Sequence, residues 1–236
     1  MRQLRKNVRK LLRELDPDIR VDGGWDRVDV DVPDGRGLSG LVIETLQRVS
    51  GISTIQEIGI FPFGGGGDMA EKVIKAFAAR ITGKTFAVRV RRQGTHAMSS
   101  TEMEREVGGR LAAAGKPLRV DLSAPEVEIR IEVKDDQFHV AHRRHKGLGG
   151  YPMGSVETVM TLVSGGYDSS VAAYLMMRRG LRNHFLFFNL GGTAHETGLR
   201  QVVHYLWQQT GASQGAKFTS GPFEQYLSQI SPSPHT

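Results

Sequence analysis

A glycine-rich loop between a strand and a helix constrains the fold of this chain more than any other feature of its sequence. The loop occupies residues 164–170, Ser-Gly-Gly-Tyr-Asp-Ser-Ser, and follows an apolar stretch at residues 158–163. A helical stretch at residues 171–179 ends at Gly180, and a second apolar stretch lies at residues 184–190. A strand, a helix and a second strand in this order form a crossover that makes the two strands parallel. The C-terminal part is therefore predicted to be an α/β unit.

The composition of this loop favours an anion-binding site. Glycines let the backbone approach a ligand, and the first turn of a helix offers unpaired N–H groups to a phosphate. The loop lacks the Gly-Lys-Ser/Thr ending of a Walker A motif, and with it the lysine that follows the β- and γ-phosphates. The alternative is a plain strand-to-helix turn in which Asp168 or Ser169 caps the helix. The full pattern favours phosphate binding over this alternative.

The first 150 residues have the mixed pattern of an α+β protein. Predicted strands lie at residues 19–21, 28–32, 86–91, 127–133 and 138–141, and predicted helices at the N-terminus and at residues 40–49, 69–80 and 100–114. The glycine-rich residues 61–67 predict a flexible connection, and Asp68 is expected to cap the helix that follows. Ser99 and Glu102 form a capping-box pattern. Residues 147–150, Gly-Leu-Gly-Gly, are predicted to be a linker.

Basic residues are concentrated in three segments. The net charge is +6, and residues 1–13 alone hold six basic and no acidic side chains, with leucine and valine on another face of a predicted amphipathic helix. A strand at residues 84–92 would display Arg89 and Arg91 on one face, and residues 139–146 form the third segment. This pattern favours the phosphate backbone of structured RNA over stacking on unpaired bases, and over a membrane surface. The candidate RNA-binding residues are Arg5, Arg9, Lys84, Arg89, Arg91, Arg92, Arg143, Arg144 and Lys146.

The chain contains no cysteine, which excludes disulfides, cysteine-based zinc sites and a persulfide carried by the chain itself. The basic N-terminus lacks the apolar core of a secretory signal, and no apolar run approaches the ~18 residues of a membrane span. We therefore expect a cytoplasmic protein without a membrane segment.

The loop and the segments before it resemble one protein family. Ser164-Gly-Gly-Tyr-Asp-Ser169 is similar to the SGGxDS signature of PP-loop ATP pyrophosphatases, which cleave ATP to AMP and pyrophosphate. The segments at residues 84–92, 94–96, 104–109 and 147–154 resemble a THUMP domain that leads into a PP-loop domain, and residues 177–180 and 187–192 continue the match. The combination, from about residue 5 to residue 211, is similar to the tRNA 4-thiouridine synthase (tRNA sulfurtransferase) family, which is also linked to thiazole formation for thiamine.

The resemblance implies a fold class of α+β followed by α/β, in three domains. These are a ferredoxin-like domain at residues 1–39, a THUMP RNA-binding domain at residues 40–144, and a Rossmann-like PP-loop domain of the adenine nucleotide alpha-hydrolase type at residues 145–236. Compared with the family pattern, the sequence starts inside the first basic helix and departs from the pattern after Gly211. We therefore expect the first and third domains to be partial and the chain to be a truncated form.

The resemblance also implies the reaction and its site. In the family, ATP adenylates O4 of a tRNA uridine, pyrophosphate leaves, and sulfur delivered as a persulfide displaces AMP. The residues expected to hold pyrophosphate are Ser164, Gly165, Gly166, Ser169 and Ser170, with Tyr167 in the same ATP-binding loop. Asp168 is the expected catalytic residue, orienting phosphate and Mg²⁺. Leu162, Val163, Phe187 and Phe188 are expected to face the adenosine, although a strand turns alternate residues to opposite sides and at least one phenylalanine would then be core.

The implied cofactors are ATP and Mg²⁺, and the implied partners are tRNA and, for the full-length family, a cysteine desulfurase that donates persulfide sulfur. A homodimer is left open. The favoured hypothesis is a truncated tRNA-thiolating enzyme that keeps tRNA binding and the PP-loop but is inactive alone. Two alternatives remain: a non-catalytic tRNA-binding THUMP protein, and another PP-loop ATP pyrophosphatase, such as an amide ligase with a small substrate.

Overall fold

A computed structural model describes residues 1–33, 35–190 and 192–223. Its contacts divide the chain into two compact units, which are treated separately. The first unit contains Met1–Ile55 and the residues from His145 onward, and the second unit contains Gln56–Arg144. The predicted division into three domains stays a prediction.

The N-terminal part of the first unit is an α+β arrangement. It consists of helix α1 (Arg2–Leu15), strands β1 (Arg20–Asp22) and β2 (Asp29–Asp31), and helix α2 (Ser39–Gln47), with β1 and β2 antiparallel. Leu4, Val8 and Leu12 of α1 are buried against the rest of this part. The amphipathic helix predicted at the N-terminus is therefore confirmed.

The second unit is built on a five-stranded mixed sheet. Its elements are β3 (Thr54–Pro62), α3 (Gly66–Ile81), β4 (Thr85–Gln93), α4 (Ser100–Gly115), β5 (Arg119–Val120), β6 (Val127–Lys134) and β7 (Gln137–Lys146). The strand order is β3-β7-β6-β4-β5, with β4 parallel to both β5 and β6 and with β6 and β7 forming an antiparallel hairpin. Phe86, Val88 and Val90 of β4 share one core with α3 and α4. The other face of the sheet carries alternating polar side chains.

Two predictions for this unit were wrong and one is confirmed. Residues 61 and 62, predicted to belong to a flexible connection, end strand β3, because Phe61 packs on Phe138 with ring centroids 5.3 Å apart. Helix α3 begins at Gly66 after an N-cap at Gly65 and has no side-chain cap, so Asp68 lies in its first turn and does not cap it. The capping box is present as predicted: the Glu102 N–H donates to Ser99 Oγ, and the Ser99 N–H donates to the Glu102 carboxylate.

The C-terminal part of the first unit is a three-stranded parallel sheet. It contains β8 (Thr158–Leu162), α5 (Tyr167–Arg179), β9 (Arg182–Asn189), α6 (Gly192–Leu206), a short π-helix (Trp207–Gly211) and β10 (Phe218–Pro222). The order is β10-β9-β8, and both pairings are parallel, which confirms the predicted α/β arrangement. Helix α5 begins four residues earlier than predicted, so Asp168, Ser169 and Ser170 belong to its first turn. Helix α6 and strand β10 had no sequence prediction.

Buried hydrogen bonds hold the two parts of the first unit together. The Asn7 side chain is buried, donates to the Met153 carbonyl at 2.8 Å and accepts from the Gln214 side chain at 2.9 Å. The predicted linker at residues 147–150 is also fixed by backbone hydrogen bonds. The Gly51 N–H donates to the Gly149 carbonyl at 2.7 Å, and the Gly149 N–H donates to the Ile52 carbonyl at 2.8 Å. Within the described parts of the chain, no helix is both long and apolar enough to cross a bilayer.

Candidate functional site

The glycine-rich loop lies where parallel strands end, which is where α/β sheets bind their ligands. Strand β8 ends at Leu162, and helix α5 starts at Tyr167 after an N-cap at Gly166. Among the described residues no side chain caps α5, so the N–H groups of its first turn are open to a ligand. Gly165 has φ of +89°, a backbone conformation that residues other than glycine rarely adopt. This arrangement fits a phosphate group, and phosphate binding at the loop stays a prediction.

Serine hydroxyls brace the loop from within. Ser169 Oγ and Ser170 Oγ donate to the Gly166 carbonyl at 3.1 and 3.2 Å, and the Ser164 N–H donates to Ser169 Oγ at 3.4 Å. These contacts turn both hydroxyls towards the start of the helix. The two serines therefore shape the loop.

Two further residues of the predicted site are exposed in the first turn of α5. Tyr167 is 92% exposed, and Asp168 is exposed beside the open N–H groups. Over residues 1–33, 35–190 and 192–223, no three His, Asp or Glu side chains are grouped to hold a metal ion. The role predicted for Asp168 stays a prediction.

His195 is a residue of this site that the sequence analysis missed. It lies in the first turn of α6, and its Nε2 is 3.3 Å from the Ser164 carbonyl oxygen. Its ring lies 5.3 Å from the ring of Phe187, and a Cβ added to Gly165 would lie 3.0 Å from Nε2. His195 thus forms one wall of the loop. The available signal was the Gly191-Gly192 pair after a strand, which has the same strand–glycine–helix order as the loop itself.

Glu196, the next residue, fastens α6 to the edge of the sheet. Its carboxylate accepts from Ser220 Oγ at 2.7 Å, from Asn189 Nδ2 at 3.2 Å and from the Arg200 guanidinium at 2.7 Å. The Ser220 hydroxyl, the Arg200 guanidinium and the Asn189 amide hold the pKa of Glu196 below its ordinary value. This carboxylate is therefore saturated by donors and links α6 to strands β9 and β10.

Replacing Glu196 by glutamine should therefore lower the stability of the first unit at neutral pH. Because the pKa of Glu196 is lowered in the folded state, its contribution is complete above the unfolded value near 4.5 and is lost as the pH falls through the folded value. Thermal unfolding from pH 7 to pH 3 should show a lower Tm for Glu196→Gln at pH 7 and a smaller difference from wild type in acid. Glu157→Gln, at an exposed position, is the control. A constant difference at every pH would contradict this role.

The four residues expected to face the adenosine do not share one environment. Leu162 is 59% exposed and Phe188 is 43% exposed, with the Phe188 ring 4.8 Å from that of Phe223. Val163 and Phe187 are buried in the core of this part. Strand alternation accounts for the separation of the two phenylalanines. Leu162 and Phe188 are thus the accessible members of the predicted set.

The candidate RNA-binding residues in α1 have structural partners. Arg5 donates to the Gly23 carbonyl at 2.7 Å, and Arg9 donates to the Val21 carbonyl at 2.6 Å, so both guanidinium groups hold β1 against the helix. Arg2 and Lys6 are more exposed and line the same surface groove as Arg5 and Arg9. The sequence pattern shows only that these residues are basic. It could not separate the arginines that hold β1 from the exposed basic residues that are free to contact RNA.

In the second unit, basic side chains gather on the face of the sheet opposite α3 and α4, here called the open face. Alternation along the strands places there the predicted Arg89, Arg91 and Arg143, and also Arg130 and Lys134, which the sequence analysis missed. Two carboxylates share this face: Glu128 pairs with Arg130 at 2.7 Å and with Arg89 at 3.7 Å, and Glu132 pairs with Lys134 at 3.5 Å. Arg91 and Arg143 are exposed, and the face keeps an excess of positive charge.

The remaining candidates lie elsewhere. Arg92 points away from the open face and donates to the carbonyls of His96 and Met98 at 3.1 and 2.9 Å, so it supports the loop before α4. Lys84 precedes β4, and Arg144 and Lys146 lie at the end of β7; all three are exposed. The nine predicted residues therefore do not form one surface within either unit.

Two family models match the sequence. A THUMP domain matches residues 67–143, and the family described as thiamine biosynthesis protein (ThiI) matches residues 154–235. The fold resembles that of a 4-thiouridine synthetase solved as an RNA complex with bound ATP (TM-score 0.80, 16% identity, 98% of this chain and 60% of that chain). It also resembles PH1313 from Pyrococcus horikoshii (TM-score 0.74, 20% identity, 97% of this chain and 74% of that chain). The chain thus combines a THUMP domain with a segment that matches the ThiI family, in the overall fold of that synthetase.

Sequence relatives define the family more narrowly. A tRNA sulfurtransferase of Marinobacter nauticus is 65% identical over 230 residues, and one of Pseudomonas aeruginosa is 47% identical over 232 residues; each match covers 98% of this chain and 48% of the relative. Over 98% of its length the chain is thus similar to tRNA sulfurtransferases, and it spans about half the length of the curated relatives that it matches. The predicted family resemblance and fold class are confirmed.

Proposed function

We propose that this chain supplies the tRNA-docking and ATP-binding parts of a tRNA sulfurtransferase. In the proposed reaction, O4 of a tRNA uridine attacks the α-phosphorus of ATP and pyrophosphate leaves. The outer sulfur of a persulfide from outside this chain then attacks C4 and expels AMP, and a second thiol cleaves the resulting disulfide to release 4-thiouridine. The observation that carries the proposal is the uncapped N-terminus of α5 behind the exposed Ser164–Gly166 backbone. N–H groups at this place stabilise the charge that develops on the leaving pyrophosphate.

Side chains around the loop take separate parts in this proposal. Ser169 and Ser170 hold the loop in shape, and Asp168 orients the phosphates and the Mg²⁺ that accompanies them. Leu162 and Phe188 offer apolar contact to the adenosine. His195 fixes the Ser164 carbonyl and so limits how far the loop can open.

The sulfur must come from outside this chain, which has no cysteine. A cysteine desulfurase in the cytoplasm is the proposed source of a persulfide, and sulfur transfer for the thiamine thiazole is the proposed second use. A homodimer is a further proposal, which rests on no contact within this chain. The competing function, tRNA binding without catalysis, differs in needing no nucleotide at the loop.

The tRNA-docking part of the proposal predicts a strong salt dependence that depends on the open face. Each phosphate that a basic side chain neutralises releases a counterion and contributes about 0.7–0.9 to the slope of log K against log salt. The double variant Arg91→Ala, Arg143→Ala should therefore reduce the slope by about 0.7–0.9 for each phosphate that it no longer neutralises. Fluorescence anisotropy of labelled tRNA at several salt concentrations measures the slope.

The matched control is Arg105→Ala, which removes an exposed arginine from α4 on the opposite side of the sheet. It should leave the slope unchanged. Equal slopes in the double variant and wild type would exclude the open face from tRNA binding, whereas equal reductions in the double variant and the control would indicate a non-specific charge effect.

A further inference from the structure

The most exposed large apolar side chain near the basic N-terminal helix is Trp25. It lies in the connection between β1 and β2 and is 88% exposed. The second tryptophan, Trp207, is half-buried and donates its indole N–H to the Gln214 carbonyl at 2.8 Å. An indole that is exposed to water contributes little to folding stability, because the hydrophobic effect stabilises a fold only through buried apolar area. The Trp25 ring is therefore available for contact with a ligand.

The connection that carries Trp25 is held in shape on both sides. Gly23 has φ of +126°, and a Cβ added there would lie 2.4 Å from the Arg27 carbonyl oxygen, so the chain passes too closely for any other residue. The Arg5 guanidinium holds the Gly23 carbonyl at 2.7 Å, and Arg27 pairs with Asp29 at 3.2 Å. Trp25 therefore lies on a turn whose backbone is held in place by its own close packing and by Arg5 of α1.

The hairpin that carries Trp25 and helix α1 carry opposite charge, so they favour different parts of a ligand. The hairpin is rich in aspartate, with Asp22, Asp26, Asp29 and Asp31, and so repels phosphate. Helix α1 is strongly basic, and its Arg5 holds Gly23, two residues before Trp25. A polyanion would thus place its backbone along α1, and the uncharged indole face would be left for a part of the ligand that carries no charge.

We propose that Trp25 is a stacking platform for an unpaired base of RNA whose phosphates lie along α1, a site that rests on the tRNA binding proposed above. Unpaired bases stack on aromatic side chains, and every base has a π-face to offer. A protein partner is disfavoured because the residues next to Trp25 in the chain are small or charged, namely Gly23, Gly24, Asp26 and Arg27, whereas protein hot spots are enclosed by a packed rim. The few aromatic residues in the sequence had argued for backbone contact alone, and Trp25 is the exception.

The test uses the full chain and two RNAs, a blunt duplex and the same duplex with a single-stranded 3′ extension. In Trp207→Phe, Trp25 is the sole tryptophan, and its fluorescence should be quenched by the extended RNA but not by the blunt one. Trp25→Ala should weaken binding of the extended RNA about 10-fold, within the roughly 5- to 150-fold that one stacked base is worth, and leave blunt-duplex affinity unchanged. Trp25→Phe should keep most of the affinity.

Three other results would contradict either the stacking site or the proposed tRNA docking. If wild type binds both RNAs and Trp25→Ala binds them equally well, the stacking site is excluded while tRNA docking stands. If Trp25→Ala weakens both RNAs alike, Trp25 supports the fold or the backbone contact and does not read unpaired bases. If wild type binds neither RNA, the proposed tRNA docking fails, and Trp25 quenching by a protein would then identify the other class of partner.

Discussion

Alanine at position 165 should weaken the binding of ATP and of pyrophosphate by about 100-fold or more. Gly165 has φ of +89°, and a backbone strained in this way costs about 1–3 kcal/mol with any other residue. The added Cβ would also approach His195 Nε2 to 3.0 Å, so the loop could keep its path only by displacing the histidine. Either adjustment turns N–H groups away from the phosphate, and each 1.4 kcal/mol of binding free energy is about a factor of ten in affinity.

Isothermal titration with ATP and with pyrophosphate measures this effect. Gly198→Ala is the matched control, because Gly198 lies within α6 and a Cβ there would meet nothing within 4 Å. That control should bind like wild type and be slightly more stable, since alanine favours a helix over glycine by about 0.5–1 kcal/mol. Circular dichroism confirms that Gly165→Ala is folded. Wild-type affinity in folded Gly165→Ala would remove the loop from nucleotide binding.

The purified chain should form no 4-thiouridine, even with ATP, Mg²⁺, tRNA and a persulfide-loaded sulfur donor. The family resemblance calls for an enzyme cysteine that passes sulfur to the adenylated uridine, and this chain contains no cysteine. The chain also spans 48% of the length of its relatives, so groups that hold the adenylate in line can lie in the part that it does not span. Positioning of this kind supplies much of the rate in displacement reactions.

Mass spectrometry of nucleosides from the treated tRNA decides this prediction. The remaining portion of a related enzyme, added as a separate polypeptide, is the positive arm and should restore product if the interface reforms. A 4-thiouridine signal above the no-protein control, without that portion, would contradict the account and would require a sulfur route without an enzyme thiol.

Local patterns were sufficient to predict the elements that stabilise themselves. The capping box at Ser99 and Glu102 needs only residues three apart, and α1 is specified by the spacing of Leu4, Val8 and Leu12. The crossover from β8 through α5 to β9 has one favoured arrangement, so its parallel strands followed from element order. The position of the loop at the strand ends followed in turn.

What escaped prediction depends on residues far apart in the sequence. Strand β3 contains a glycine and ends in Phe-Pro, and it is a strand because β7 pairs with it and Phe138 packs on Phe61. The contact of His195 with Ser164 joins residues 31 positions apart, and the partners of Glu196 lie on two strands and a helix. Arg5 could be recognised as a structural residue only once the Gly23 carbonyl was seen beside it.

The central claim is that this chain binds ATP at the loop after β8 and binds tRNA through its basic surfaces, which are helix α1 and the open face. Hydrogen–deuterium exchange with mass spectrometry, on the chain alone and with saturating ATP or tRNA, tests both halves in one measurement. The account predicts that ATP slows exchange in peptides covering residues 164–170, which include the uncapped first turn of α5, and that tRNA slows exchange in peptides covering residues 1–20. ATP protection confined to other segments, or none at the loop under conditions where tRNA protects α1, would contradict it.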